Sequence, residues 1–169
     1  MDRLKNDNVK LKYIFETHFH ADFVSGHIDL SNATDAKIIY GPNANPSFDA
    51  IIATDNQEFT IGNITIKVIH TPGHTMESSC FLLKDENKNE IALFSGDTLF
   101  LGDVGRPDLA QKAASMTQEE LAGILYDSLN FKILPLSDNI IVYPAHGAGS
   151  VCGKNMMKET IIHLAIRKR

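Results

Sequence analysis

Residues 17–23 read Thr17-His18-Phe19-His20-Ala21-Asp22-Phe23, and the rest of the chain is organised around them. Taken as extended backbone, the alternation sends His18, His20 and Asp22 to one face and Phe19, Ala21 and Phe23 to the other. Two imidazoles and a carboxylate then converge on one small volume. The apolar run Tyr13-Ile14-Phe15 just before them marks a buried strand, and polar groups clustered on a buried segment need hydrogen-bond partners or a metal. Each residue alone has an ordinary reading, as a hydrogen-bonded histidine or as an aspartate capping a helix that starts at Phe23. Together with the histidine and aspartate turns that follow later in the chain, they point to a metal.

Outward from this stretch, one arrangement recurs: a strand, a turn of small residues, and a ligand candidate at the tip. Alternating runs at 58–61 and 64–70, separated by Gly62-Asn63, predict a hairpin. Its second strand enters His70-Thr71-Pro72-Gly73-His74-Thr75, a tight turn that displays His74 at its exit. His70, still within the strand, is expected to make structural hydrogen bonds. A second hairpin, 79–83 with 90–94, leads into Ser95-Gly96-Asp97-Thr98, where the glycine permits a bend that presents Asp97. A last strand at 139–143 runs into Pro144-Ala145-His146-Gly147.

Between these turns the chain supplies covering elements. Apolar spacing at Phe23, Val24, His27 and Ile28 predicts a helix over 23–30, with Asp22 or Ser25 near its start and His27 on its surface. Residues 36–40 read as a strand stopped by Gly41-Pro42, and 99–108, with Gly102, Gly105, Arg106 and Pro107, as a loop long enough to fold over a pocket. Thr117-Gln118-Glu119-Glu120 is a capping-box pattern opening a helix that runs to about Asn130. The glycine-rich stretch 147–153 lacks a phosphate-loop pattern and carries little weight as an anion site.

Composition narrows the function. At 169 residues and 43% hydrophobic, the chain reads as one domain, 1–169, with a real core. A net charge of −5 argues against a dedicated binder of nucleic acid or anionic membrane. The basic cluster Arg167-Lys168-Arg169 reads as a solvated tail. The first ten residues lack the apolar core of a signal peptide and no apolar run reaches membrane-spanning length, so a soluble, cytoplasmic protein is expected. Cys80 and Cys152 form no CxxC pattern, which fits a reduced compartment without disulfides.

The four motifs, Thr-His-Phe-His-Ala-Asp at 17–22, His-Thr-Pro-Gly-His-Thr at 70–75, Ser-Gly-Asp-Thr-Leu-Phe at 95–100 and Tyr-Pro-Ala-His-Gly at 143–147, resemble those of the metallo-β-lactamase superfamily in order and placement. The resemblance implies an α+β architecture, an αββα sandwich with metal at one edge between two sheets. Within the superfamily the chain looks closest to the glyoxalase II-like branch, and inside it to the persulfide dioxygenases related to the ethylmalonic encephalopathy protein. The stretch 102–109 and the Gly-Ala-Gly-Ser at 147–150 are similar to bacterial members, some of them fused to a rhodanese domain. Family members usually carry a strand or two and a hairpin before the first motif. Here about one helix-length precedes Tyr13, so the expectation is a sheet lacking its outer N-terminal strands, in a domain truncated at both ends.

A departure from the pattern bears on mechanism. The superfamily's first motif usually ends H-x-H-x-D-H, and Phe23 stands where the last histidine would be; phenylalanine offers no lone pair to a second metal. The resemblance then implies His18, His74 and Asp97 as a two-histidine, one-carboxylate triad for one Fe(II) per chain, with open positions for substrate and O₂. His20, Asp22 and His146 become groups that orient ligands or waters, or the remnant of a second metal site. Arg106 has two readings, a partner for a substrate carboxylate or for Asp108. The implied reaction is oxidation of a low-molecular-weight thiol persulfide, of the glutathione persulfide type, by O₂ to sulfite and thiol. A rhodanese-type sulfurtransferase is the implied partner, and a homo-oligomer is compatible with the resemblance. The alternatives are a Zn-dependent thioester hydrolase of glyoxalase II type and an inactive truncated remnant. An RNA-processing nuclease fits the acidic chain less well.

Overall fold

In the computed structural model, residues 4, 6–20, 23–147 and 161–165 are described. Short runs of β-branched and aromatic residues build two sheets. The smaller consists of β1 (Tyr13–Phe15), β2 (Lys37–Tyr40) and β3 (Ile51–Ile52), all parallel, with helix α1 (His27–Thr34) connecting the first two. The larger runs in the order β4 (Glu58–Ile61), β5 (Ile64–His70), β6 (Ser79–Lys84), β7 (Glu90–Gly96), β8 (Ile141–Pro144) and β9 (Ile162–His163). Its neighbours are antiparallel except β7 and β8, which are parallel.

Alternation along the central strands feeds two cores. In β5, Val68 packs with Phe59, Phe81 and Ile39 between the sheets, whereas Ile69 joins Cys80, Leu82, Leu93 and Val142 on the opposite face. A sheet apolar on both faces must be covered on both. The outer face of the large sheet is covered by Leu99, Leu101 and Ile133, the last from a π-helical turn (Leu129–Ile133) that continues α3 (Gln118–Ser128). A short α2 (Gln111–Ala114) precedes α3. On the far side, Ile38 and Tyr40 form a third cluster with Ile14 and Phe48, on the α1 side of the small sheet. The order helix, sheet, sheet, helix is the expected αββα sandwich.

The two sheets are unequal in width. Among the described residues the small sheet ends at β1, and beyond it the inner face of β7 and β8 shows Phe94 and Tyr143, 40% and 37% exposed and stacked at 5.4 Å. A cavity of about 370 Å³ opens there between Phe15, Phe81, Phe94 and Tyr143 and reaches Thr17 and Gly96. Both expected hairpins and the capping box are present.

The first helix differs from expectation. It starts at His27 rather than Phe23, with Gly26 at its N-cap and no side-chain cap, because Phe23 and Val24 are exposed and supply no buried face. His27 is not a surface residue: its Nδ1 lies 3.4 Å from Glu16 Oε1 and its ring 4.9 Å from that of Phe48. Asp22, Cys152, the glycine-rich residues 148–153 and the basic tail 167–169 lie outside the described residues. Among the described residues no helix is long and apolar enough to cross a membrane.

Candidate metal centre

The ligand candidates all follow strand ends at one edge of the sandwich. His18 comes three residues after β1, His74 four after β5, Asp97 directly after β7 and His146 two after β8. Gly96 makes the third of these turns: its φ is +53°, and a Cβ there would lie 2.7 Å from the side chain of Thr17. Only glycine lets the end of β7 approach the first motif so closely. Across the top, Gly105 brings the 99–108 loop down onto the centre. A Cβ at Gly105 would sit 2.0 Å from the carbonyl oxygen of Asp97 and 3.0 Å from the His74 ring.

His18, His74 and Asp97 are 3%, 3% and 1% exposed, and each offers one ligand atom within 4.8 Å of the others. Asp97 Oδ2 lies 3.7 Å from His18 Nε2 and 3.4 Å from His74 Nε2, while Oδ1 lies 3.5 Å from His146 Nε2. Neither Asp97 oxygen accepts a hydrogen bond from any described residue. A buried carboxylate in that condition is costly unless a cation compensates it.

The imidazoles are arranged to complete the set. His74 Nδ1 lies 2.9 Å from the carbonyl oxygen of Arg106; a carbonyl only accepts, so Nδ1 carries the proton and the Nε2 lone pair faces Asp97. His18 Nδ1 is likewise engaged from behind, 3.0 Å from Thr17 Oγ1. Burial, reinforced by His20, His74 and His146, pushes the His18 imidazolium down to about 2, so the ring is neutral, the form that binds metals. Donor types, the His74 tautomer and the orphaned carboxylate all fit a divalent cation.

Around this triad, the His20 ring stands 4.1 Å from that of His18, and the Phe23 ring packs against His20 at 4.3 Å, tilted by 36°. The expectation that Phe23 faces away from the histidines is therefore corrected: residues 16–20 are not strand, and the backbone bends at His18 and again at Phe23. His146 lies beside Asp97, its Nε2 3.5 Å from Oδ1. Arg106 takes the structural reading, its Nε donating to Asp108 Oδ1 at 2.9 Å and its Nη2 to Oδ2. The pair borders a cavity of about 420 Å³ lined also by Asp103 and Gln118. His70 is structural: its N–H donates to Asp55 and its Nε2 lies 2.9 Å from the Met76 carbonyl oxygen. Burial raises the Cys80 thiol to about 11, which leaves it inert at neutral pH.

Sequence reasoning missed three participants: Thr17 behind His18, Gly105 over Asp97, and the Arg106 carbonyl behind His74. A backbone carbonyl carries no residue-type signal, and the close approach of Gly105 depends on segments distant in sequence.

Comparison with known proteins bears on the same turns. A model of the metallo-beta-lactamase superfamily matches residues 1–146. A probable hydroxyacylglutathione hydrolase of Schizosaccharomyces pombe is 31% identical over 166 residues, covering 96% of this chain and 60% of the relative. The crystal structure of a metallo-beta-lactamase from Staphylococcus aureus superposes with a TM-score of 0.87 at 34% identity, covering 99% of this chain and 50% of the other. That of ETHE1 from Myxococcus xanthus gives 0.80 at 27% identity, covering 99% and 64%. The chain spans about half the length of the curated relatives it matches.

Proposed function

The chain belongs to the metallo-beta-lactamase superfamily, and we propose that within it the protein is an Fe(II)-dependent dioxygenase of a low-molecular-weight thiol persulfide. The observation that carries this reading is the ligand set itself: among the described residues His18, His74 and Asp97 form one compact group, and the ring that packs against His20 is that of Phe23, which offers no lone pair. Two imidazoles and one carboxylate with open positions suit non-haem iron. The structural likeness to ETHE1 supports the same reading.

A ferrous ion bound there would supply the redox chemistry, bringing dioxygen and the terminal persulfide sulfur together. The chain's own residues hold and orient. Thr17 and the Arg106 carbonyl fix the two rings, and Asp97 offers an anionic oxygen. Gly105 lets the 99–108 loop close over the centre and limit water. Arg106, on the wall of the 420 Å³ cavity, would serve a carboxylate of the thiol carrier only by sharing its guanidinium with Asp108. Overall, persulfide, dioxygen and water yield sulfite, thiol and protons.

A second reading, a Zn-dependent thioester hydrolase, is favoured by the curated relatives' names and by His146 on the second oxygen of Asp97. Oxygen consumption separates the two. Anaerobically purified, Fe(II)-loaded protein is expected to take up O₂ on addition of glutathione persulfide, with matching sulfite. Absence of uptake, together with hydrolysis of S-lactoylglutathione by the Zn-loaded protein, would reverse the assignment.

A further inference from the structure

Two hydrogen bonds grip the backbone on either side of His18, one from the loop that carries His74 and one from the first residue of β6, into which that loop runs. The N–H of Ser79 donates to the Thr17 carbonyl at 2.9 Å, and the N–H of Phe19 donates to Glu77 Oε1 at 3.1 Å. The first joins backbone to backbone. The second depends on one side chain, 58 residues away in sequence.

The His74 loop is itself closed, so the Glu77 backbone is fixed relative to His74. The Thr71 N–H donates to the Ser78 carbonyl at 2.8 Å, the Thr75 N–H to Ser78 Oγ at 3.1 Å, and Ser79 Oγ to the Glu77 carbonyl at 3.1 Å. At the other end, β1 stops at Phe15, and no ladder bond holds Phe19. Its ring rests 4.7 Å from that of Tyr40. A glutamate in a turn is ordinarily a solvated surface residue; this one is half-buried and spans two ligand-bearing segments.

We infer that Glu77 is a positioning residue of the metal centre, its carboxylate fixing the first motif's histidines against His74. Ligand sets tolerate displacements of only about 0.5 Å. Loss of the tether frees the Phe19 amide, and with it the rings on either side.

The inference rests on His18, His74 and Asp97 being metal ligands, so its test has an arm with metal and one without. With metal, the Co(II) affinity of the full chain is measured by competition with a chromophoric chelator. Glu77→Ala is expected to weaken it about 10–100-fold, the range for lost supporting contacts. Glu77→Gln, whose side-chain carbonyl still accepts, is expected to restore most of the affinity. Without metal, amide exchange at Phe19 is expected to be slow in the parent and in Glu77→Gln and fast in Glu77→Ala. Unchanged Co(II) affinity in Glu77→Ala overturns the inference, as does an equal loss in both variants, which would make charge rather than acceptance responsible. Failure of the parent to bind Co(II), with Phe19 exchange as expected, overturns the metal reading and leaves Glu77 a purely structural tether.

Discussion

The ring of Phe23 packs against His20 at 4.3 Å, while Asp97 turns one oxygen to His18 and His74 and the other to His146. Asp97 is thus placed to serve two cations, and its second oxygen faces a histidine on the side where Phe23 supplies no donor. Substituting Phe23→His is expected to raise metal content from about one to about two ions per chain, because imidazole adds the missing lone pair. Metal analysis of protein loaded with excess Zn(II) checks this. An unchanged stoichiometry would mean that Phe23 is not what limits the site. The variant is expected to stay folded, since Phe23 is 50% exposed and contributes little to the core.

Helix α3 starts in a reciprocal cap. Glu120 N–H donates to Thr117 Oγ1 at 3.2 Å, and Thr117 N–H donates to Glu120 Oε2 at 2.8 Å. Thr117→Ala removes one half of it and is expected to lower Tm by about 2–4 °C at neutral pH. The hydrogen bonds from Thr117 hold the Glu120 carboxyl below its ordinary range. Its share of the cap is therefore present above that range and lost as the pH falls through the lowered value. Thermal melts at neutral and acid pH are expected to show the gap between variant and parent narrowing in acid. This cap was legible in the sequence because all its parts lie within four residues, and both hairpins were legible because alternation extends over whole strands. The start of α1 was not. Phe23 and Val24 imitate a helical apolar face, yet they stand beside the metal turns, 50% and 97% exposed, and bury nothing in a core. Strands β3 and β9, two residues each, are too short to show any period and exist only through their neighbours. The four ligand-bearing turns were readable as motifs, but the tethers Glu77 and the Arg106 carbonyl join segments far apart in the chain, and Thr17, though next to His18, gave no pattern of its own.

At the scale of the molecule, the triad joins two sheets of unequal strength. His18 follows β1 of the small sheet, and His74 and Asp97 follow β5 and β7 of the large one. Three short parallel strands are marginal alone; here they lean on the large sheet through Phe15, Ile39 and Val68. In the metal-free protein the small sheet is therefore expected to open as its own unit, before the large sheet unfolds. Opening that separates His18 from Asp97 would have to release the ion, so at 100 times its dissociation constant a bound metal makes the open state about 100-fold rarer. Hydrogen–deuterium exchange at the amides of Glu16 and Lys37, which bond across β1 and β2, is expected to approach that of Val68 when Zn(II) is added. An unchanged difference would show that the small sheet can part without disturbing the centre. A cation at the sheet edge thus merges two cooperative units into one, and the resistance of the fold to local opening becomes a function of the metal concentration around it.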